Sequence, residues 1–418
     1  MDYSALPKKT VFCIDMKSFF ASCAAVKRGL DPERVCLAVV ADKKRTGSVV
    51  LAASPMMKKQ FSIYTGNRLF EIPNHPSIMI VEAEMKEYLT MSMQITELFH
   101  RYVPKECIYP YSIDESFLWM DGTTRLWGEP EVAARTIRED IKRTFGLPSA
   151  IGIGDNMLLA KLSLDLEAKH TGIAYWRYED VPNKLWPIQP LHKMWGIGKN
   201  LEKRLNRLGI ITIGQLAHTP KSLLKKEFGI IGEQLYYHAH GVDVSSFYQK
   251  EIKKQKGYEK GQILLRDYHL RKEVFCVLLE MAEEVAKRAR EDKKAGRTIT
   301  LRIVYNDGTS FQHAKTVEVA TNITLDIYHI CKELFIYYDE KKKAVRQIQI
   351  ALTNIVDDQS MQLHLFYPTK EKERKIGYVM DKIRNKYGAT SLLRAVSYTK
   401  GSTVHERSKK IGGHKSGE

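Results

Sequence analysis

Apolar and polar positions along this chain follow two periods, and the switches between them mark its elements. The run TVFCID, residues 10–15, is short, apolar and ends in an acid, which predicts a buried strand. Residues 16–28 take on helical character. CLAVVAD (36–42) and SVVLAAS (48–54) read as two strands of a hairpin joined by a basic loop. Residues 82–103 show the 3.6-residue period of a long amphipathic helix, stopped by Pro104, and lead into the strands of CIYPYSIDESFLWMDG. A further helix at 131–146 closes on Gly146 in a C-cap position. A strand, a turn and another helix follow, so the first half is α+β.

After Pro182 and Pro187 the pattern breaks into short helices around MWGIGKNLEKRLNRLGI. Residues 243–357 carry their own strands and two long helices, and end in the alternating strand RQIQIALTNIV. The last 50 or so residues are rich in Lys, Gly and Ser, a composition that predicts a partly ordered tail. At 418 residues, three or four modules are expected rather than one core.

Composition narrows the function classes. Hydrophobic residues make up 44% of the chain, enough for real cores, and no apolar run approaches a membrane span. The N-terminus lacks the apolar segment of a signal peptide. Six scattered cysteines without a Cys-x-x-Cys pair read as reduced, cytoplasmic residues, neither a zinc site nor a disulfide framework. The net charge of +17, with +8 of it over residues 361–418, points to a polyanionic partner; without an amphipathic anchor, nucleic acid is favoured over membrane.

The stretch YSIDESFLWM (111–120) raises a chemical question, because Asp114 and Glu115 interrupt a run suited to burial. A buried carboxylate costs several kcal/mol unless it is paired or holds a cation. The bland reading is a wet turn. The sharper one brings Asp15, Asp114 and Glu115 to one sheet edge to hold two Mg²⁺ ions. Adjacent strand residues point to opposite faces, so Asp114 and Glu115 can share a site only if the backbone turns or bulges there.

CIDMKSFFAS (13–22), YSIDESFL (111–118), LLAKLSLD (158–165) and WGIGKNLEKRLNRLGI (195–210) stand in an order and spacing that resembles the Y-family (lesion-bypass) DNA polymerases. The chain resembles especially the bacterial UV-damage repair branch, related to the catalytic subunit of polymerase V, and the resemblance covers roughly residues 10–366. It implies a multi-domain right hand: palm over 1–25 and 82–175, fingers over 26–81, thumb with a helix–hairpin–helix over 176–242, little finger over 243–357, then a clamp-binding peptide and basic tail over 358–418.

The resemblance also implies roles. Asp15, Asp114 and Glu115 match the metal-binding carboxylates, with Met16 lending a backbone carbonyl. Phe20 matches the steric gate against a 2′-hydroxyl, and Phe19 its neighbour under the nucleotide; apart from the motif both would be ordinary core. Lys161 and Lys58 match contacts to the triphosphate of a deoxynucleotide. Gly196, Ile197, Gly198 and Lys199 match a turn whose backbone approaches primer-template DNA, where a plain interhelical turn is the bland alternative. Gln362, Leu363, Leu365 and Phe366 have the Q-L-x-L-F form of peptides that bind the sliding clamp (beta subunit); a terminal strand is the alternative.

Three positions depart from the family pattern: Pro55 in place of a tyrosine, Ala24 in place of a glutamate, and Gln60-Phe61-Ser62 where a glycine turn is common. Two rival classes remain beside an error-prone translesion polymerase. One is a palm-fold nucleotidyl cyclase; the other is a non-catalytic paralogue that binds DNA and recruits partners.

Overall fold

The computed structural model describes residues 3–243, 256–340, 342–358 and 370–417. They form two compact units, one of Met1–Lys250 with His414–Glu418 and one of Glu251–Gly413. In chain order the first unit opens with β1 (Val11–Met16), α1 (Phe19–Val26), β2 (Cys36–Val40), β3 (Val50–Ala53), α2 (Pro55–Phe61), β4 (Ile78–Glu82) and α3 (Met85–Phe99). It continues with β5 (Ile108–Pro110), β6 (Glu115–Trp119), α4 (Thr124–Trp127), α5 (Pro130–Phe145), β7 (Ser149–Gly154), α6 (Met157–Ser163), α7 (Lys169–Thr171) and β8 (Ile173–Trp176). Four short helices close it: α8 (Lys199–Arg207), α9 (Ile213–His218), α10 (Lys221–Phe228) and α11 (Ile230–Ala239).

The central sheet of this unit runs β5-β6-β1-β7-β8, and a smaller sheet runs β3-β2-β4. β1 lies between two antiparallel neighbours, with Val11 to Ile14 fully buried, which is why its sequence is apolar on both faces. Helices α1, α3 and α5 cover one face through Phe19, Tyr88, Phe99 and Ile137. On the other face α6 lies unusually close to β7. A Cβ on Gly152 or Gly154 would fall 2.3 or 2.2 Å from the α6 backbone at Ala160, so only glycine permits the approach.

The second unit contains β9 (Gly257–Tyr268), α12 (Arg271–Glu291), β10 (Lys294–Tyr305), β11 (Ser310–Thr321), α13 (Thr324–Tyr338), β12 (Val345–Asp357) and α14 (Lys370–Tyr387). Its sheet has the order β11-β10-β12-β9, with α12 and α13 packed on the face that carries Ile299, Leu301, Ile348 and Ile350.

The tail departs from its composition. Residues 370–387 are a helix, and Ala395–Tyr398 and Val404–Ser408 form further turns of helix. Composition predicts disorder because apolar burial is scarce; here polar burial does the holding. Glu280 on α12 accepts hydrogen bonds from Ser402 Oγ at 2.6 Å and Thr403 N–H at 3.1 Å, and Glu283 accepts from Arg394.

Candidate active site

The site is built where β1 meets β6. Asp15 and Glu115 are register partners across the two strands. The residues before β6 turn rather than extend: the N–H groups of Tyr111 and Ser112 both donate to Glu115 O, and Met16 N–H donates to Asp114 O at 3.0 Å. Asp114 therefore lies outside the strand while Glu115 lies in it. This is the local turn that the two adjacent acids require to serve one site.

The carboxylates have different surroundings. Asp114 is half-buried and accepts a 2.6 Å hydrogen bond from Ser112 Oγ. Glu115 is buried and takes a 2.7 Å hydrogen bond from Lys161 Nζ and a 3.1 Å one from the Cys13 thiol. Asp15 has a side chain only 16% exposed. Burial pushes its acid up to about 6, and the negative charges of Asp114 and Glu115 add to that against the opposing Lys169. Oxygen donors that repel one another in this way suit a hard cation. Among the described residues no three such side chains already converge as a ligand set, and Glu115 is held by Lys161.

Two lysines open on the same carboxylates. Lys58, on α2, donates to Ser18 Oγ at 2.8 Å. Burial pushes its ammonium pKa down, aided by the charge of Lys169 and opposed by Asp15. Lys169 lies 3.5 Å from Asp15 and 2.7 Å from Asp165, and these two acids hold it protonated against the cost of burial. Lys161 is different: its side chain is 8% exposed and bound to both Glu115 and Asp165. The structure thus turns Lys161 inward and brings Lys169, which the sequence reading passes over, to Asp15. The signal was present as lysine–acid–lysine at 161, 165 and 169, interrupted by a π-turn over Leu164–Ala168.

α6 owes its placement to Asn156, whose side-chain oxygen caps the Leu159 N–H at 2.9 Å. Phe19 is buried, while Phe20 is half-buried and stacks on Tyr88 with ring centroids 4.4 Å apart and planes at 12°. Tyr88, itself 2% exposed, backs the Phe20 ring from α3.

The departures have local reasons. Pro55 is the first residue of α2, where it needs no N–H partner, and Ser54 caps the helix. Ala24 is buried in α1. Ser62 adopts φ 54°, the left-handed conformation that a glycine takes more cheaply.

In the four-helix region Gly196 has φ 93°, and a Cβ there or at Gly198 would meet open space. Ile197 is buried as the anchor of this turn, and Lys199 is exposed at the start of α8. Gln362, Leu363, Leu365 and Phe366 lie outside the described residues. Among the described residues no helix is long and apolar enough to cross a membrane.

Comparison with known proteins gives the family. The impB/mucB/samB family matches residues 14–165, its C-terminal domain residues 255–365, and the thumb domain of DNA polymerase iota residues 192–243. UvrX of Bacillus subtilis (strain 168), named for UV-damage repair, is 53% identical over 421 residues, covering 100% of both chains. DNA polymerase IV 2 of Halalkalibacterium halodurans is 36% identical, covering 97% of this chain and 99% of its own. A solved Y-family polymerase chimera of Dbh and Dpo4 shares the fold with a TM-score of 0.65 at 22% identity, over 83% of this chain and 99% of that one. The chain belongs to the Y family of DNA polymerases.

Proposed function

We propose that the chain is a DNA-directed DNA polymerase that extends primers past damaged template bases, with Asp15, Asp114 and Glu115 at its catalytic centre. The observation that carries this reading is the meeting of Asp15 and Glu115 across β1 and β6, with Asp114 on the adjoining turn. Full-length relatives named DNA polymerase IV support the same activity.

Y-family polymerases are metal-dependent, and the donor chemistry here fits. Asp15 and Asp114, with the Met16 carbonyl, would hold Mg²⁺, two ions in the full site; Glu115 would join after releasing Lys161. When bound, Mg²⁺ would supply Lewis acidity to the primer 3′-hydroxyl and positive charge beside the leaving pyrophosphate.

The remaining work falls to the chain's own groups. Lys58 and Lys169 bind the triphosphate by charge and hold it over the carboxylates. Lys161 positions Glu115. Phe20, backed by Tyr88, forms the wall that a 2′-hydroxyl would strike. The Gly196–Gly198 turn and Lys199 offer backbone N–H groups and charge to a DNA phosphate, and the second unit acts as the little finger. Residues 362–366 recruit the sliding clamp, and the enzyme works in the cytoplasm as part of a damage (SOS) response.

Primer extension on a template with a single lesion, with Mg²⁺ and purified chain, tests the reading. Extension past the lesion that vanishes in Asp15→Ala supports it, and a chain that binds primer-template DNA without extending it overturns it.

A further inference from the structure

In the second unit α14 is set onto α12 by charge more than by apolar contact. Arg290, buried on α12, donates to the two Asp381 carboxylate oxygens at 2.6 and 3.1 Å, and Arg384 donates to Glu283 at 3.1 Å. Gly377 spares a Cβ that would come within 3.0 Å of the Arg290 guanidinium. Removing one partner of such a buried pair would leave an uncompensated buried charge. The rotation of α14 about its own axis is therefore fixed, and so is the face it leaves exposed.

That face carries Lys372, Lys375, Lys382 and Lys386, all exposed. At 3.6 residues per turn the four fall within an arc of about 80° and extend along about 21 Å of helix. Lys375 pairs with Glu371 at 2.6 Å; among the described residues no ion pair engages Lys372, Lys382 or Lys386. An ordinary solvated helix face interleaves acids with bases, because like charges three or four residues apart destabilise the helix. Here Lys372 and Lys375 are three apart, and Lys382 and Lys386 are four apart. A polyanion lying along the face removes that repulsion.

We propose that this lysine stripe on α14 is a DNA-backbone site, read by charge without regard to sequence and additional to the contacts that serve catalysis. It rests on the polymerase reading only in taking DNA as the partner. Val379 lies within the arc and Ile376 and Tyr387 beside it, so an acidic protein surface is the competing occupant. Four lysines against one valine within the arc favour phosphate.

The test uses the full chain and a primer-template with a duplex of about three helical turns, titrated across salt concentrations. The variant K372Q/K375Q/K382Q/K386Q should bind at least about tenfold more weakly near 0.1 M salt, and the slope of log affinity against log salt should shrink by about 2–4. The matching Lys→Arg variant should bind like wild type. Unchanged affinity and slope in the Gln variant would overturn the site and point to the protein partner, while leaving wild-type primer extension, and so the polymerase reading, intact. Equal loss in the Arg variant would overturn it too, since charge would not be its basis. If wild type fails to extend primers yet its binding falls with the Gln substitutions, the polymerase reading fails and the stripe stands.

Discussion

Lys161 and Glu115 form a buried ion pair, 2.7 Å between nitrogen and oxygen, with both side chains under 10% exposed. The pair explains how an acid survives inside the β6 strand, and it sets Lys161, held inward, apart from Lys58 and Lys169, which we propose bind the triphosphate.

That division predicts opposite phenotypes. Lys161→Met leaves the Glu115 carboxylate buried and unpaired, and should cost about 3–5 kcal/mol of stability in urea or thermal unfolding. Lys169→Ala removes a half-exposed charge: it should shift the unfolding midpoint little but raise KM for the incoming deoxynucleotide at least about tenfold, one charge-assisted contact. Single-nucleotide insertion kinetics on both variants check the assignment. An unchanged KM in Lys169→Ala would return the triphosphate contact to Lys161.

Asp15 makes stability depend on pH in a fixed direction. Its acid is raised from an ordinary 3.8 to about 6 in the fold, so the folded state holds the proton longer than the unfolded chain does. As pH climbs from about 4 to 6 the fold loses up to about 3 kcal/mol through this group, and above 6 the loss is complete. Asp15→Asn should therefore stabilise the protein in a chelator at pH 7.5 by about 1–3 kcal/mol, with the gain gone near pH 4. Thermal unfolding at the two pH values measures it.

Phe20 is half-buried with its ring stacked on Tyr88 at 4.4 Å. Phe20→Ala should admit ribonucleotides by at least about a hundredfold over wild type, since a steric wall is all that separates the sugars there and a clash of that kind is worth ~3 kcal/mol. Competition between ribo- and deoxynucleotides reads it. Equal discrimination in both proteins would move the gate to Phe19.

Leu365→Ala with Phe366→Ala should weaken clamp-dependent processive synthesis and spare distributive synthesis. Each large apolar side chain buried in a clamp pocket contributes about 1.5–3 kcal/mol, so losing two should cost at least about tenfold in affinity. Equal loss with and without clamp would make these residues part of the fold.

Much of this was legible in the chain. The continuous apolar run of β1, ending in Asp15, follows directly from a strand buried on both faces. The turn at Asp114 was demanded by two adjacent acids needing one side. What the sequence concealed were matters of side-chain direction. Lys161 and Lys169 both stand on helical turns after β7, and only the close packing allowed by Gly152 and Gly154 sends the first inward to Glu115. The ordered tail was hidden for a related reason. Its anchors, Asp381, Arg384 and Thr403, are polar residues whose partners on α12 lie about a hundred positions away. No hydrophobic period records such contacts.

The most direct test of the account is primer extension by wild type and by Asp15→Ala and Asp114→Ala, on an undamaged template and on one with a single lesion. Wild type should extend on both with Mg²⁺, and the two variants should extend on neither while retaining DNA affinity, because phosphate contacts elsewhere dominate binding. Near-wild-type extension by either variant would contradict the assignment of the catalytic centre.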